Sequence, residues 1–316
     1  MFSRDLKIAC IGECMGELAS DGKASYTMAF AGDTFNTAYY LAKIFANTLG
    51  AGFSQHSAST ATAISYVTVV GEDRLSRDMH RFFTACGLNT QMVFTDSERT
   101  VGLYMINNDE RGERTFSYWR STSAARNLMK ENRAALLEEA LQGFDLIYLS
   151  GISLAILEPA DRSALINLLS RLKIPVAFDP NYRPLLWSSV QACRQCYQAV
   201  APLCRYVLAT LDDEQALWGI TTAQQAAQFW RDSGAQEVAI KNGGEPNLIF
   251  TDTMRHFPLP NVVTKPIDTT GAGDAFNAAY LSHRLQGLAV ASAVDSAQQL
   301  CSRVISQRGA IISDDH

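Results

Sequence analysis

Ten consecutive residues, Asp268-Thr269-Thr270-Gly271-Ala272-Gly273-Asp274-Ala275-Phe276-Asn277, set an unshielded backbone beside a carboxylate. Gly271, Ala272 and Gly273 leave the amides open, and the apolar run after them (Ala275, Phe276, Ala278, Ala279, Tyr280, Leu281) predicts a buried helix. A helix N-terminus offers free N–H groups and positive partial charge, so a phosphate can rest there without a lysine. Asp274 then falls in the first turn, next to that phosphate. Two anions in contact repel, so Asp274 makes no sense as a phosphate ligand. It makes sense as a base that takes a proton from a hydroxyl attacking phosphorus. A dipole-complementing Asp after turn glycines would leave the same letters. The run is neither a Walker A loop nor a dinucleotide fingerprint.

Four further clusters carry chemistry. Ala31-Gly32-Asp33-Thr34-Phe35-Asn36 opens a helical pattern, where Gly32 allows close approach and Asp33 and Asn36 can bind hydroxyls; a plain Asp N-cap reads the same way. Asp179-Pro180-Asn181-Tyr182-Arg183-Pro184 follows a strand, and its prolines present Asn181 and Arg183 in fixed geometry. Arg183 can fork onto a phosphate or pair with a neighbouring carboxylate. Lys241-Asn242-Gly243-Gly244 also follows a strand and suits a nucleotide cradle. Tyr104, Tyr118 and Arg120 supply two hydroxyls and a cation for a small anionic ligand, or are ordinary strand aromatics with a snorkelling Arg.

The elements that must position these residues alternate along the chain. Expected strands are Lys7–Ile11, Ile64–Val70, Asp145–Leu149, Pro175–Phe178, Tyr206–Leu208, Glu237–Ile240 and Leu248–Phe250. Helical patterns run over Thr34–Ala46, Arg74–Cys86, Ala124–Gln142, Asp161–Leu172 and Thr222–Ser233. Such alternation predicts an α/β fold with a mainly parallel sheet covered on both faces, its catalytic residues beyond the C-terminal strand ends. Val101–Asn107 and Glu113–Arg120, joined by Asn108-Asp109-Glu110-Arg111-Gly112, read as a hairpin standing off that sheet as a lid, with Gly22–Phe30 as a further strand. The aperiodic Gly50–Ala63 stretch reads as an exposed loop.

With 316 residues, 47% of them hydrophobic, the chain can bury a large core. A net charge of -5 offers nucleic acid or an anionic membrane no attraction. No stretch at the N-terminus is long enough for a signal peptide or a membrane span. The seven scattered cysteines, including Cys193 and Cys196 at helical spacing, read as reduced thiols of a cytoplasmic protein.

Taken together, these residues resemble the ribokinase-like (PfkB) family of carbohydrate kinases over nearly the whole chain. Asp268–Asp274 is similar to its C-terminal signature, and Gly32-Asp33 with Asn36 to its N-terminal sugar motif. Within the family, five stretches resemble the bacterial 2-dehydro-3-deoxygluconate kinase branch: Ile11-Gly12-Glu13-Cys14-Met15, Gly112–Arg120, Leu149–Ala155, Asn181–Trp187 and Leu211–Gly219.

The resemblance implies a single three-layer α/β/α domain over 1–316, with a β-lid from about 14–31 and 93–121 that pairs subunits into a homodimer. It implies Asp274 as base, with the amides of Gly271, Ala272 and Gly273 as anion hole. Gly32, Asp33, Asn36, Tyr104, Tyr118 and Arg120 would bind a sugar acid, Arg120 facing its carboxylate. Asn181, Arg183, Lys241, Gly243 and Gly244 would bind ATP together with Gly271 and Gly273. Mg²⁺ would accompany ATP near Glu214, and Asp268 and Thr270 would hold a monovalent cation such as K⁺. Leu211 stands at the Asn position of the family's Asn-x-x-Glu, and Gly16 replaces a larger apolar residue, which should loosen the lid root. A kinase for fructose or ribose is the alternative; a binding protein without turnover would have lost Asp274 or the turn glycines.

Overall fold

The computed structural model of the chain describes residues 6–20, 25–50, 63–108, 114–259, 263 and 265–312. Among them the strands are β1 (Lys7–Ile11), β2 (Met15–Ser20), β3 (Tyr26–Ala31), β4 (Ala63–Gly71), β5 (Val93–Asp96), β6 (Leu103–Asn108), β7 (Arg114–Trp119), β8 (Leu146–Ser150), β9 (Val176–Asp179), β10 (Cys204–Thr210), β11 (Glu237–Lys241), β12 (Asn247–Phe250) and β13 (Met254–Phe257). The helices are α1 (Asp33–Gly50), α2 (Arg74–Ala85), α3 (Arg133–Ala140), α4 (Gly151–Ala155), α5 (Pro159–Leu172), α6 (Val190–Val200), α7 (Leu211–Trp218), α8 (Ala223–Asp232), α9 (Ala272–Leu285) and α10 (Val290–Ile305).

Nine strands form one sheet in the order β13-β12-β11-β10-β9-β8-β1-β4-β5, with every neighbouring pair parallel except β11–β12 and β12–β13 at one edge. Alternate residues of each central strand feed two separate cores. Ile11, Leu149, Phe178, Val207 and Ile240 point into one, with α3, α5, α6 and α8 behind them. Cys10, Tyr148, Ala177, Leu208 and Ala239 point into the other, against α1, α2, α9 and α10. A sheet covered on both faces explains why its strands read as continuous apolar runs rather than alternating ones. The expected three-layer α/β/α architecture is the one observed.

A second sheet, in the order β3-β2-β6-β7, stands apart. Its β6–β7 pair is the expected hairpin, and β3 is the expected third strand beginning at Tyr26. Residues 109–112 of the expected turn, 22–24 of the expected strand and 51–62 of the expected loop lie outside the described residues.

Three expectations need correction. Residues 93–96, placed in the lid, form β5 and pair with Thr68–Gly71 of the main sheet. The helix expected over Ala124–Gln142 is broken: a short turn at Ala124–Asn127 precedes α3, because buried Arg133 donates to Thr95 O (2.9 Å) and Asn127 O (3.1 Å). Gly16 does not loosen the small sheet; Leu103 Cδ2 lies 2.6 Å from where its Cβ would stand, so the glycine lets β6 close in. All seven cysteines are free thiols, with Cys193 and Cys196 in the core. Among the described residues no helix is long and apolar enough to cross a membrane.

Candidate active site

Parallel register gathers the chemistry at one end of the large sheet. Ser150 pairs with Asp179 at the ends of β8 and β9, and Thr210 pairs with Lys241 at the ends of β10 and β11. These are carboxyl ends of parallel strands, where α/β sites form. The N-terminus of α9 meets them there.

Gly271 caps α9 at φ +78°, a left-handed conformation that side chains rarely adopt, and a Cβ there would stand 2.7 Å from Ala310 O. Asp268 braces the turn: Oδ1 accepts from Thr270 N (3.0 Å) and Oδ2 from Gly309 N (2.8 Å). Ala272 and Gly273 thus open the helix, the Ala272 N–H donating to Thr269 O (3.3 Å).

Asp274 is buried in the first turn of α9, and its Oδ2 accepts from Asn36 Nδ2 at 2.8 Å. Burial, followed by the charge of Asp33, pushes its carboxyl well above the ordinary aspartate range; the Asn36 bond and the charge of Lys241 oppose that rise, while Asp179 adds to it. A raised carboxyl in a polar corner is the electrostatic mark of a general base. Asp33 itself opens α1, its Oδ1 accepting from Thr34 N (2.8 Å) and its Oδ2 from Asn181 Nδ2 (2.7 Å). Asn181 sits at φ +35° and donates its own N–H to Asp179 Oδ1 (3.1 Å). Asn181 therefore ties the loop after β9 to the Gly32–Asn36 segment.

Lys241 departs from expectation. Its side chain is buried, and Nζ donates to Asp179 Oδ2 (2.9 Å) and to Asn277 Oδ1 (3.1 Å). Asn277 Nδ2 in turn donates to Asp179 Oδ2 (2.6 Å) and Tyr148 Oη (3.0 Å). Gly243 and Gly244 beyond it are exposed, Gly243 at φ +54°. Arg183 is half-exposed: Nη1 donates to Tyr182 O (2.9 Å) and lies 3.5 Å from Asp213 Oδ1, the carboxylate partnership open from the sequence.

Glu214 is 1% exposed, and neither carboxylate oxygen has a hydrogen-bond partner among the described residues. Burial pushes it up to about 8, reinforced by Asp213 and Asp179 and only partly opposed by the Trp230 indole. A sealed carboxyl that favours its neutral form does not fit an Mg²⁺ ligand. Among the described residues no three His, Cys, Asp or Glu side chains are grouped to hold a metal.

The second sheet supplies the other wall. Glu17, Tyr104 and Tyr118 are register partners across β2, β6 and β7, so they share one face. Tyr104 donates its hydroxyl to Glu17, and its ring stacks on Tyr118 with centroids 5.9 Å apart. Arg120 Nη2 donates to Glu13, whose carbonyl oxygen would lie 2.3 Å from a Cβ on Gly32. Arg120 thus stands beside the Gly32 segment, but its first carboxylate partner is Glu13 of this chain. Glu13, Glu17, Asp179, Asn277 and Tyr148 were assigned no role from the sequence. Glu13, Asp179 and Asn277 lay within motifs already singled out; Glu17 gave no signal.

The model of the pfkB family carbohydrate kinases matches residues 5–316. The chain belongs to that family. It is 38% identical over 312 residues to the 2-dehydro-3-deoxygluconokinase of Haemophilus influenzae, covering 97% of this chain and 95% of the relative. The Escherichia coli K12 protein of the same name is also 38% identical, with 97% of each covered. Among solved structures, a PfkB protein from Polaromonas sp. JS666 superposes with a TM-score of 0.78 at 24% identity, covering 96% of both chains. The 2-dehydro-3-deoxygluconokinase of Thermotoga maritima gives 0.76 at 17% identity, covering 97% of this chain and 96% of the other. The family is one of carbohydrate kinases, and the second sheet matches its architecture.

Proposed function

We propose that the chain transfers the γ-phosphoryl group of ATP to the 6-hydroxyl of 2-dehydro-3-deoxy-D-gluconate, giving the 6-phosphate and ADP. The observation that carries this reading is Asp274, buried at the Gly271 turn and held by Asn36 beside Asp33. Asp274 takes the proton as the hydroxyl oxygen attacks phosphorus, and the bond to the ADP oxygen breaks. Phosphoryl transfer needs mostly positioning and charge neutralisation, which the Gly273 amide and the positive N-terminal end of α9 supply. Asn181, through Asp33, links the phosphate side to the substrate side. Arg183, Gly243 and Gly244 line the nucleotide side.

Arg120 supports a sugar acid over a neutral sugar. Its side chain is 11% exposed beside the Gly32 segment, where a guanidinium favours a carboxylate over a neutral hydroxyl. When bound with ATP, Mg²⁺ would neutralise phosphate charge; Glu214 as it stands does not hold it. Closure of the second sheet as a lid would exclude water as competing acceptor.

Tyr26, Met28, Phe116, Tyr118 and Trp119 of that sheet are exposed, and we assign them to pairing with a second copy. Sedimentation as a monomer at micromolar concentration would remove that assignment. A monovalent cation at Asp268 and Thr270 would raise rates in K⁺ over tetramethylammonium; equal rates would exclude it.

A coupled ADP-release assay across sugar acids and neutral sugars tests the whole reading. The deoxy-keto acid should give the highest kcat/KM. Equal turnover of fructose or ribose would move the assignment to those sugars, and no ADP release with any acceptor would leave a binding protein.

A further inference from the structure

Lys241 lies where a fixed cation changes the chemistry. It ends β11 at the register position of Thr210, is 7% exposed, and its Nζ stands 3.4 Å from where a Cβ of Gly273 would be. The amine is therefore directly beneath the turn whose amides face the phosphoryl group. It cannot swing, because Asp179 Oδ2 and Asn277 Oδ1 hold it at 2.9 and 3.1 Å, and Asn277 is itself held by Tyr148.

Titratable groups reach Asp274 from every element packed around it. Asp33 and Tyr40 come from α1, Tyr148 from β8, Asp179 from β9, Lys241 from β11 and Cys301 from α10. Lys241 is the single cation in that group. Burial raises the phenols and the thiol so far that they stay uncharged; the two carboxylates push Asp274 toward its neutral form, and one buried ammonium opposes them. A protonated Asp274 cannot accept the substrate proton, so this balance decides how much of the enzyme is competent at neutral pH.

We propose that Lys241 is a positioning residue for phosphoryl transfer, a buried cation locked beneath the Gly271–Gly273 turn that adds positive charge under the anion hole and favours the charged form of the base. The proposal rests on the reading of Asp274 as base. It assigns Lys241 to Asp274 and the turn rather than to a direct grip on the nucleotide. Asp179 and Asn277 are then the residues that fix the ammonium, and Asp179 also sets its strength by sharing the charge.

The test is the pH dependence of kcat/KM together with the carboxyl ¹³C titration of Asp274 in the ligand-free full chain, assigned with Asp274→Asn. In Lys241→Met the acid limb and the titration midpoint should both move up by about one pH unit, about a tenfold loss of kcat/KM below the limb. In Asp179→Asn, which removes a competing anion and leaves the ammonium, both should move down. A merely structural lysine would lower activity in both variants without moving the limbs in opposite directions.

An unmoved midpoint in folded Lys241→Met overturns the proposal. If that variant does not fold, Asp179→Asn decides alone, and a midpoint that stays or rises overturns it. A wild-type profile with no acid limb, alongside midpoints that move as expected, would sink Asp274 as base while leaving the charge arrangement intact.

Discussion

Two buried ion pairs face the same site from opposite sides, and they are finished to different degrees. Lys241–Asp179 joins the ends of β11 and β9 across the intervening β10. Both oxygens of Asp179 are engaged, Oδ1 by the Asn181 N–H and Oδ2 by Lys241 and Asn277. Arg120–Glu13 lies where the second sheet leaves the first, with side chains 11% and 1% exposed. Glu13 Oε1 and Arg120 Nε have no partner among the described residues. A buried polar atom left unpaired costs about 1–3 kcal/mol, so a ligand that pairs with it gains that much on binding. The contrast separates two tasks. The reacting end is preorganised, as electrostatic stabilisation of a developing charge requires. The Arg120–Glu13 pair keeps two buried polar atoms without a partner among the described residues.

The comparison can be broken most severely at the reacting end. Asp274→Ala should fold normally and lose about 10²- to 10⁴-fold in kcat, read by ADP release beside a thermal melt. Turnover within threefold of wild type would end the base assignment.

At the recognition end the expected effect is smaller and selective. Removing Arg120 alone would strand Glu13 without its cation, so the comparison is Glu13→Gln/Arg120→Leu against Glu13→Gln. The double variant should raise KM for the sugar acid by about 10- to 100-fold, the value of a charge-assisted hydrogen bond, with little change for a neutral acceptor. An equal rise for both acceptors would show that Arg120 only supports the small sheet.

The smallest effect concerns stability and sharpens the meaning of an unpaired buried carboxyl. Glu214 is raised from the ordinary 4.5 to about 8. As pH rises from about 4.5, the unfolded chain releases this proton first while the folded chain keeps it. Stability from this group is therefore full at low pH and declines up to about pH 8. Glu214→Gln removes that slope, so its melting temperature should gain on wild type as pH climbs from 5 to 8. A constant difference across that range would place the carboxyl in contact with water or a cation.

Legibility followed locality. The central strands were readable because burial on both faces makes them uniformly apolar; β1 was expected at Lys7–Ile11 and is found there. β2 and β5 were missed because short strands at a sheet edge or in a small sheet, such as Met15–Ser20 and Val93–Asp96, carry mixed patterns. The helix expected through Asn127–Asn132 failed because Arg133 is drawn to Thr95, a contact 38 residues away that periodicity does not encode.

Within the site, the amino-acid sequence determined whatever one turn can express: open glycine amides, a helix N-terminus and a carboxylate in its first turn, and hence the class of chemistry. Tertiary structure decided which charges meet. Asn36 finds Asp274 across 238 residues, Asn181 finds Asp33 across 148, Arg120 finds Glu13 across 107 and Lys241 finds Asp179 across 62. Those partnerships follow from strand order and register, which bring distant carboxyl ends to one edge, and no local spacing contains them. Burial then sets their strength, because only a closed, low-dielectric corner lets one lysine weigh against two aspartates.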